Sequence, residues 1–498
     1  MRLLRITILF FLLPFIHAAE DSAKPFNPIE KNGKYFDGWP KPKLALVFTG
    51  FQEGYLEPCG CAGMLEMKGG LSRRMSFFGT LKEMGWPVIA IDGGDLCNGK
   101  VDKQSELKFG HTADAFRMMG YDAVGLGLND LAFSAQNLLG YTVELSDADK
   151  SLFTAANVAP HDFIDAYLAP YKIVEKNDVK VGIVSIVTNS QLVNIQDPAI
   201  VRENPVRRLR EIIPKLDAEE CQYLIMIAHG KRGGVLKETE DILEAFPNKF
   251  SIVLVNDPPA EPPRRVPKMI GDCYVIEVGE KGKFAVVLGL FEGENTPPKY
   301  QAVALDSRYN NSPIVMKMMK EYQDRLKEEG PSGLNIRSYS DPKTDLMGKY
   351  IGSKECQSCH EESYDVWRKT GHATAWKSLL ETAKPSRNYD PDCVACHVVG
   401  WNPSSMYPYI GGFDIGNQKE TQHLTDVGCE NCHGPGENHK NAELGNNKTK
   451  QAELRKMVRL PLVNAQKNCI LCHDGDNSPN FNFETYWSKI EHSESEEE

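Results

Sequence analysis

Short apolar, β-rich runs separated by amphipathic segments mark the first large region of the chain. Leu44 to Thr49, Val88 to Asp92, Val179 to Val187, Tyr223 to Ala228 and Ile252 to Val255 read as strands. Between them, Leu71 to Glu83, Thr112 to Met119, Pro205 to Leu216 and Lys237 to Ala245 carry apolar residues at spacings of three and four, so strand and helix alternate as in an α/β domain. From Cys273 to Leu305 strands follow one another without helices, which predicts a sheet edge or a second packed sheet. Ser312-Pro313 supplies an N-cap and a first-turn proline for a helix whose face is Val315, Met318, Met319, Tyr322 and Leu326, and Gly330-Pro331 ends it. That methionine-bearing face predicts packing against a neighbouring domain. Glu20 to Pro42 is polar and aperiodic, and Gly330 to Lys343 is rich in Gly, Pro, Ser and Asp; both read as connections.

Composition sharpens the division. At 498 residues, with 41% hydrophobic and 25% charged, the chain holds two or three domains of ordinary globular character. A formal net charge of −11 without a basic stripe argues against nucleic acid and anionic membrane as partners. Met1 to Ala19 has the form of an export signal: Arg2 and Arg5, an apolar run from Ile6 to Ile16, then Ala18-Ala19. The run is short for a membrane anchor, and no other stretch reaches eighteen consecutive apolar residues, so no transmembrane segment is expected after signal removal. The expected layout is a signal peptide at 1–19, a linker at 20–42, an α/β domain at 43–305, a helix and linker at 306–346 and a final domain at 347–498.

The final domain carries the most specific chemistry. Cys356-Gln357-Ser358-Cys359-His360, Cys393-Val394-Ala395-Cys396-His397, Cys429-Glu430-Asn431-Cys432-His433 and Cys469-Ile470-Leu471-Cys472-His473 are four copies of C-x-x-C-H. Two thiols about one helical turn apart can each bond a haem vinyl, and the adjoining His ligates iron. Zinc held by paired C-x-x-C would explain the cysteines and not the histidine after every pair. Four covalently bound c-type haems are therefore expected, and with them the periplasm as location, where such haems are installed in bacteria. The domain has eight histidines: His360, His397, His433 and His473 in the motifs, plus His372, His423, His439 and His492. Four irons with two axial ligands need eight, so all eight are candidate iron ligands. Haems so ligated are closed to substrate and suited to electron transfer. With so few residues per motif, the haems must supply much of the buried apolar volume, and the tryptophans of the region are expected to pack on them.

Tyr350-Ile351-Gly352-Ser353, Gly371-His372-Ala373, Asp390-Pro391-Asp392-Cys393 and the run Val427 to Gly436 resemble the cytochrome c554 family of tetrahaem proteins. The resemblance implies a mainly helical, haem-packed domain whose closely stacked haems carry electrons between periplasmic redox partners, and in that family one haem can be five-coordinate.

In the α/β region, Gly93-Gly94-Asp95 follows an apolar run and sets a carboxylate at the carboxyl end of a strand, where open α/β sheets place their sites. Together with Gly120 to Gly127, Ala155-Ala156-Asn157-Val158 and Ala228-His229-Gly230, it resembles the 5′-nucleotidase branch of the calcineurin-like metallophosphoesterases. That implies a four-layer α/β sandwich around a two-metal site. The departures are large: Thr49-Gly50-Phe51-Gln52-Glu53 stands where the family has Asp-x-His, Leu128-Asn129-Asp130 where it has Asn-His-Glu, and Val255-Asn256-Asp257 where Gly-His-x-His is expected. Only Asp95 and His229 match ligand positions, too few for two catalytic metals.

Thiols occupy the same loops: Cys59 and Cys61 after the first strand and Cys97 after Asp95. With His229 they are expected to converge at one sheet edge, either as a soft-metal site of three thiols and His229, with Asp95 a further candidate ligand, or as a redox-active Cys59/Cys61 pair exchanging electrons with the haems; burial of Cys97 under the loop is the plain alternative. The expected function is electron transfer by a multihaem cytochrome with a degraded hydrolytic site. The alternatives are an oxidoreductase working at Cys59 and Cys61 and, more remotely, a phosphohydrolase.

Overall fold

The computed structural model describes residues 26–60, 63–143, 152–163, 168–230, 233–256, 263–293 and 296–492. The export signal expected at 1–19 lies outside these residues, as does Cys61.

The apolar runs form two six-stranded mixed sheets. In the first, Leu44–Thr49 pairs in parallel with Val88–Asp92, followed by Ala123–Gly125 and Phe153–Thr154, while Phe284–Leu290 and Lys299–Ala304 close the other side antiparallel. In the second, Ile252–Asn256 lies between Tyr223–His229 and Cys273–Glu277, all parallel; Val179–Val187 follows, and Tyr171–Lys176 and Lys268–Ile270 are antiparallel edges. The strand series from Cys273 onward thus crosses from one sheet to the other.

Leu44, Leu46, Phe48, Ile89 and Ile91 of the first sheet meet Val181, Ile183, Ile225, Ile227, Ile252 and Leu254 of the second in one dry layer. The outer face of the first sheet is covered by helices Leu71–Glu83, Lys103–Met119 and Pro313–Gly333, and that of the second by Pro205–Ala218 and Val235–Ala245. The layer order is helix, sheet, sheet, helix, as expected for a four-layer α/β sandwich. Strands buried on both faces need no polar alternation, which is why they read as continuous apolar runs.

The helix expected from Thr112 begins at Lys103, because Asp102 caps it by accepting from Ser105 N at 2.7 Å. The segment expected as a linker at 20–42 is, from residue 26 on, packed onto the α/β unit. Asn27 caps a short helix, Pro28–Asn32, and Phe36 and Trp39 lie on Trp86 with ring centroids 4.9 and 6.0 Å away. Polar and Pro-rich composition hid the aromatic rings that anchor it. Helix Pro313–Gly333 turns Val315, Met318, Met319, Tyr322 and Leu326 into the α/β core and changes direction at Gly330, whose φ is 60°.

Beyond it the chain has short helices and a small core of Tyr350, Leu379, Val394, Ala395, Val398, Val399, Trp401, Phe413, Ile415 and Leu424. No helix among the described residues is long and apolar enough to cross a membrane.

Candidate functional site

Parallel register delivers polar residues to the carboxyl ends of both sheets. Thr49 is opposite Asp92, and Val187 and Asn256 flank His229. Asp95, just past the strand, has φ 55° and is buried. Its Oδ1 accepts from Asn129 N at 2.8 Å and its Oδ2 from Asn256 Nδ2 at 2.8 Å. The same Asn256 amide lies 3.1 Å from His229 Nδ1. Asp130 accepts from Asp95 N, Leu96 N and Gly127 N at 2.8, 2.8 and 3.0 Å. Burial pushes both carboxyls up, Asp130 to about 6, and Asp95 is raised further by the charge of Asp130. Burial also lowers His229 to about 3, so its imidazole is neutral. Beside them Arg74, fully buried, reaches Asp92 Oδ2 at 3.5 Å and Gln52 Oε1 at 2.6 Å.

The two residues matching ligand positions are thus brought together, with an amide between them. One carboxylate and one imidazole are too few donors for a two-metal centre, and among the described residues no group of three or more His, Cys, Asp or Glu could hold a metal.

Cys97 and Cys59 have different neighbours, and Cys61 lies outside the described residues. Cys97 stays with this network, its Sγ 3.1 Å from Asn129 O. The loop after the first strand runs alongside residues 94–96 through Phe51 N to Gly94 O, Glu53 N to Asp95 O and Gly54 N to Leu96 O, at 3.0, 2.9 and 2.8 Å. It then continues past the strand ends, so Cys59 is delivered to the boundary with the carboxy-terminal region, where Cys393 and Cys396 are among its charge neighbours. Burial raises the nearby Glu57 to about 7. Cys273 is buried and Cys221 half-buried in the second sheet's outer layer, where they serve as packing.

In the carboxy-terminal region each C-x-x-C-H is a tight turn. His360 N and His473 N donate to Cys356 O and Cys469 O at 3.0 and 2.9 Å, and Cys429–His433 is a helical turn. Three motif histidines face a second imidazole from elsewhere: His360 and His439 have ring centroids 6.0 Å apart, His473 and His372 6.0 Å, and His433 and His492 5.8 Å. If haem iron were bound, these facing pairs are the residues that would hold it. His433 Nδ1 and His397 Nδ1 face Val458 O and Ala375 O at 2.7 and 2.6 Å, so Nε2 is the nitrogen with which each would hold a metal. Burial lowers the pKa of His372, His397, His433 and His473, which disfavours their charged form. The donor set fits haem iron. His423, the remaining candidate, is exposed on the turn Gln422–Leu424 and is not in these three pairs.

Thiols of different motifs are also neighbours. Cys356 lies beside Cys429, Cys396 beside Cys472, and Cys432 near Cys469. The motifs are therefore grouped in space as first with third and second with fourth, with third and fourth adjoining.

Several positioning residues escaped sequence reading. Glu430, inside the third motif, is buried and accepts from Ile351 N, Gly352 N and Gly436 N at 3.0, 2.8 and 2.8 Å, while Ser353 Oγ accepts from Cys429 N at 3.1 Å. Asp426 accepts from Trp376 N at 2.9 Å. Asp390 caps the helix bearing Cys393 and is met by Gln104 and Gln323 of the α/β unit, each at 2.8 Å. Only Asp390 could have been suspected, from its place before Pro391.

Residues 355–434 match the family described as cytochrome c554 and c-prime. Cytochrome c-554 of Nitrosomonas europaea is 33% identical over 142 residues, which cover 25% of this chain and 57% of that protein. Among solved structures, sulfate thiohydrolase SoxB of Thermus thermophilus superposes with a TM-score of 0.47 at 12% identity, covering 58% of this chain and 62% of that one. A 5′-nucleotidase precursor, also from Thermus thermophilus, gives 0.46 at 16%, covering 62% and 61%. The calcineurin-like phosphoesterase YfkN of Bacillus subtilis gives 0.45 at 18%, covering 57% and 98%. The chain thus spans less than two thirds of the cytochrome and of the first two structures. Its carboxy-terminal region is similar to the cytochrome c554 family, and it is carried behind a four-layer α/β unit similar to the 5′-nucleotidases and calcineurin-like phosphoesterases.

Proposed function

We propose that the protein is an exported, periplasmic electron carrier with four c-type haems, attached at Cys356/Cys359, Cys393/Cys396, Cys429/Cys432 and Cys469/Cys472. The observation that carries this reading is the three imidazole pairs at centroid separations of 5.8 to 6.0 Å. Bound haem iron supplies reversible one-electron exchange. The chain's own part is to set the paired histidines opposite one another and to set the motifs in the order first, third, fourth, second. Redox partners in the periplasm are the partners this chemistry implies.

The α/β unit in this reading has lost phosphoester hydrolysis. Supporting it are Asn256, whose amide occupies Asp95 Oδ2, and Arg74, a fixed cation beside the strand ends. A haem count of four per chain, with electron uptake from a chemical reductant and delivery to an artificial acceptor, is the expected result; fewer haems, or phosphatase turnover with added Mn²⁺ or Zn²⁺, overturns it.

A second reading is favoured by the place of Cys59 beside Cys393 and Cys396: an oxidoreductase whose thiol loop meets the second haem. Cys59→Ser distinguishes them, since a carrier keeps its electron flow and such an enzyme loses substrate-dependent haem reduction.

A further inference from the structure

The α/β unit grips the second attachment motif from several sides. Asp390 caps helix Pro391–Val394, which bears Cys393, by accepting from Asp392 N at 3.2 Å. Its Oδ1 accepts from Gln104 Nε2 and its Oδ2 from Gln323 Nε2, each at 2.8 Å, and Gln104 is itself held by Tyr322 OH at 3.0 Å. Lys108, from the same helix as Gln104, pairs with Asp392 with its side chain 12% exposed. From the other direction Arg387 donates to Pro58 O at 3.0 Å, next to Cys59. The fourth motif is approached less directly, by Lys281 and Lys283 on Asp476, the latter at 2.6 Å. The first and third motifs are instead tied to each other, through Glu430 and Ser353.

We propose that the α/β unit is a clamp on the second haem-attachment helix, with Gln104 and Gln323 as positioning residues and Lys108 and Asp392 as opposed charges that set the reduction potential of the haem bonded to Cys393 and Cys396. This rests on the electron-carrier reading above. Two amides that satisfy both oxygens of one buried carboxylate fix the cap, and the cap fixes the turn holding the thiol. Reduction lowers the positive charge at the iron, so a nearby cation favours the reduced state and a nearby carboxylate the oxidised one. The Lys108 and Asp392 side chains are 12% and 29% exposed, so both charges are screened only in part.

The test is a redox titration of the full-length holoprotein, with the second haem identified as the component lost in Cys393→Ser/Cys396→Ser. Lys108→Met is expected to make reduction of that haem harder by about tenfold, or about 59 mV for a one-electron couple. Asp392→Asn should shift it oppositely, the double substitution should bring it back toward the starting value, and Lys108→Arg should leave it in place. Unaltered spectra of the other three haems report an intact fold. Single substitutions that shift the haem in the same direction, or midpoints that stay unmoved or move together, overturn the clamp alone. A chain that binds no haem at Cys393 and Cys396 overturns the clamp and the electron-carrier reading together, and the haem count shows it.

Discussion

His229 in the α/β unit and His360, His433 and His473 in the carboxy-terminal region are the same side chain under opposite rules. His229 is buried between fully packed strands, with an amide of Asn256 at 3.1 Å, in a unit whose core is complete in side chains alone. The three motif histidines instead face partners across centroid gaps near 6 Å, in a region whose apolar cluster is small. One unit links carboxylate, amide and imidazole directly, with His229 Nε2 buried and without a hydrogen-bond partner among the described residues; the other holds its imidazoles apart.

The comparison breaks most sharply if the gaps are not metal positions. His372→Ala, His439→Ala or His492→Ala should each remove one low-spin haem signal from the ferric spectrum, whereas His423→Ala should remove none; electron paramagnetic resonance reads both outcomes. Glu430→Ala comes next in size. It leaves three backbone N–H groups without their carboxylate, and about 4 kcal/mol of holoprotein stability should be lost in denaturant titration.

A titration sharpens the contrast on the α/β side. Glu57 is raised from 4.5 to about 7 by burial, so its contribution to stability is fully present below pH 4.5 and is lost as pH rises through about 7. Unfolding free energy should carry this downward slope, about 3 kcal/mol in all, and Glu57→Gln should remove it while still accepting from Ser72 N. The smallest effect is expected at the strand ends: Asp95→Asn should leave the electron-transfer rate unchanged in a stopped-flow assay, because Asp95 contacts only its own unit in the network described.

The sequence made some of this legible for local reasons. Continuous apolar runs located the strands within a residue or so, and the motif histidines stood beside their cysteines. The distal pairing did not follow from local pattern: His372 meets the fourth motif and His492 the third, contacts across long loops that no periodicity encodes. Nor did Gln104 or Gln323, polar residues on helix faces that gain meaning only against Asp390. Cys59 was visible as a thiol after the first strand, but its place beside Cys393 and Cys396 was not, because the loop through Phe51 and Glu53 carries it there with no local pattern to show it. Asn256 was visible as a departure, but that its amide spans Asp95 and His229 required coordinates.

The grip on Asp390 and Asp392 also imposes a calendar on biogenesis. Thiols must be reachable while thioether bonds are made, and Gln104, Gln323, Lys108 and the Pro58 loop all converge on the stretch around Cys393. Docking of the two units therefore belongs after haem attachment at that motif, so a chain that skips the second haem should be caught with its halves undocked and open to proteolysis along the seam.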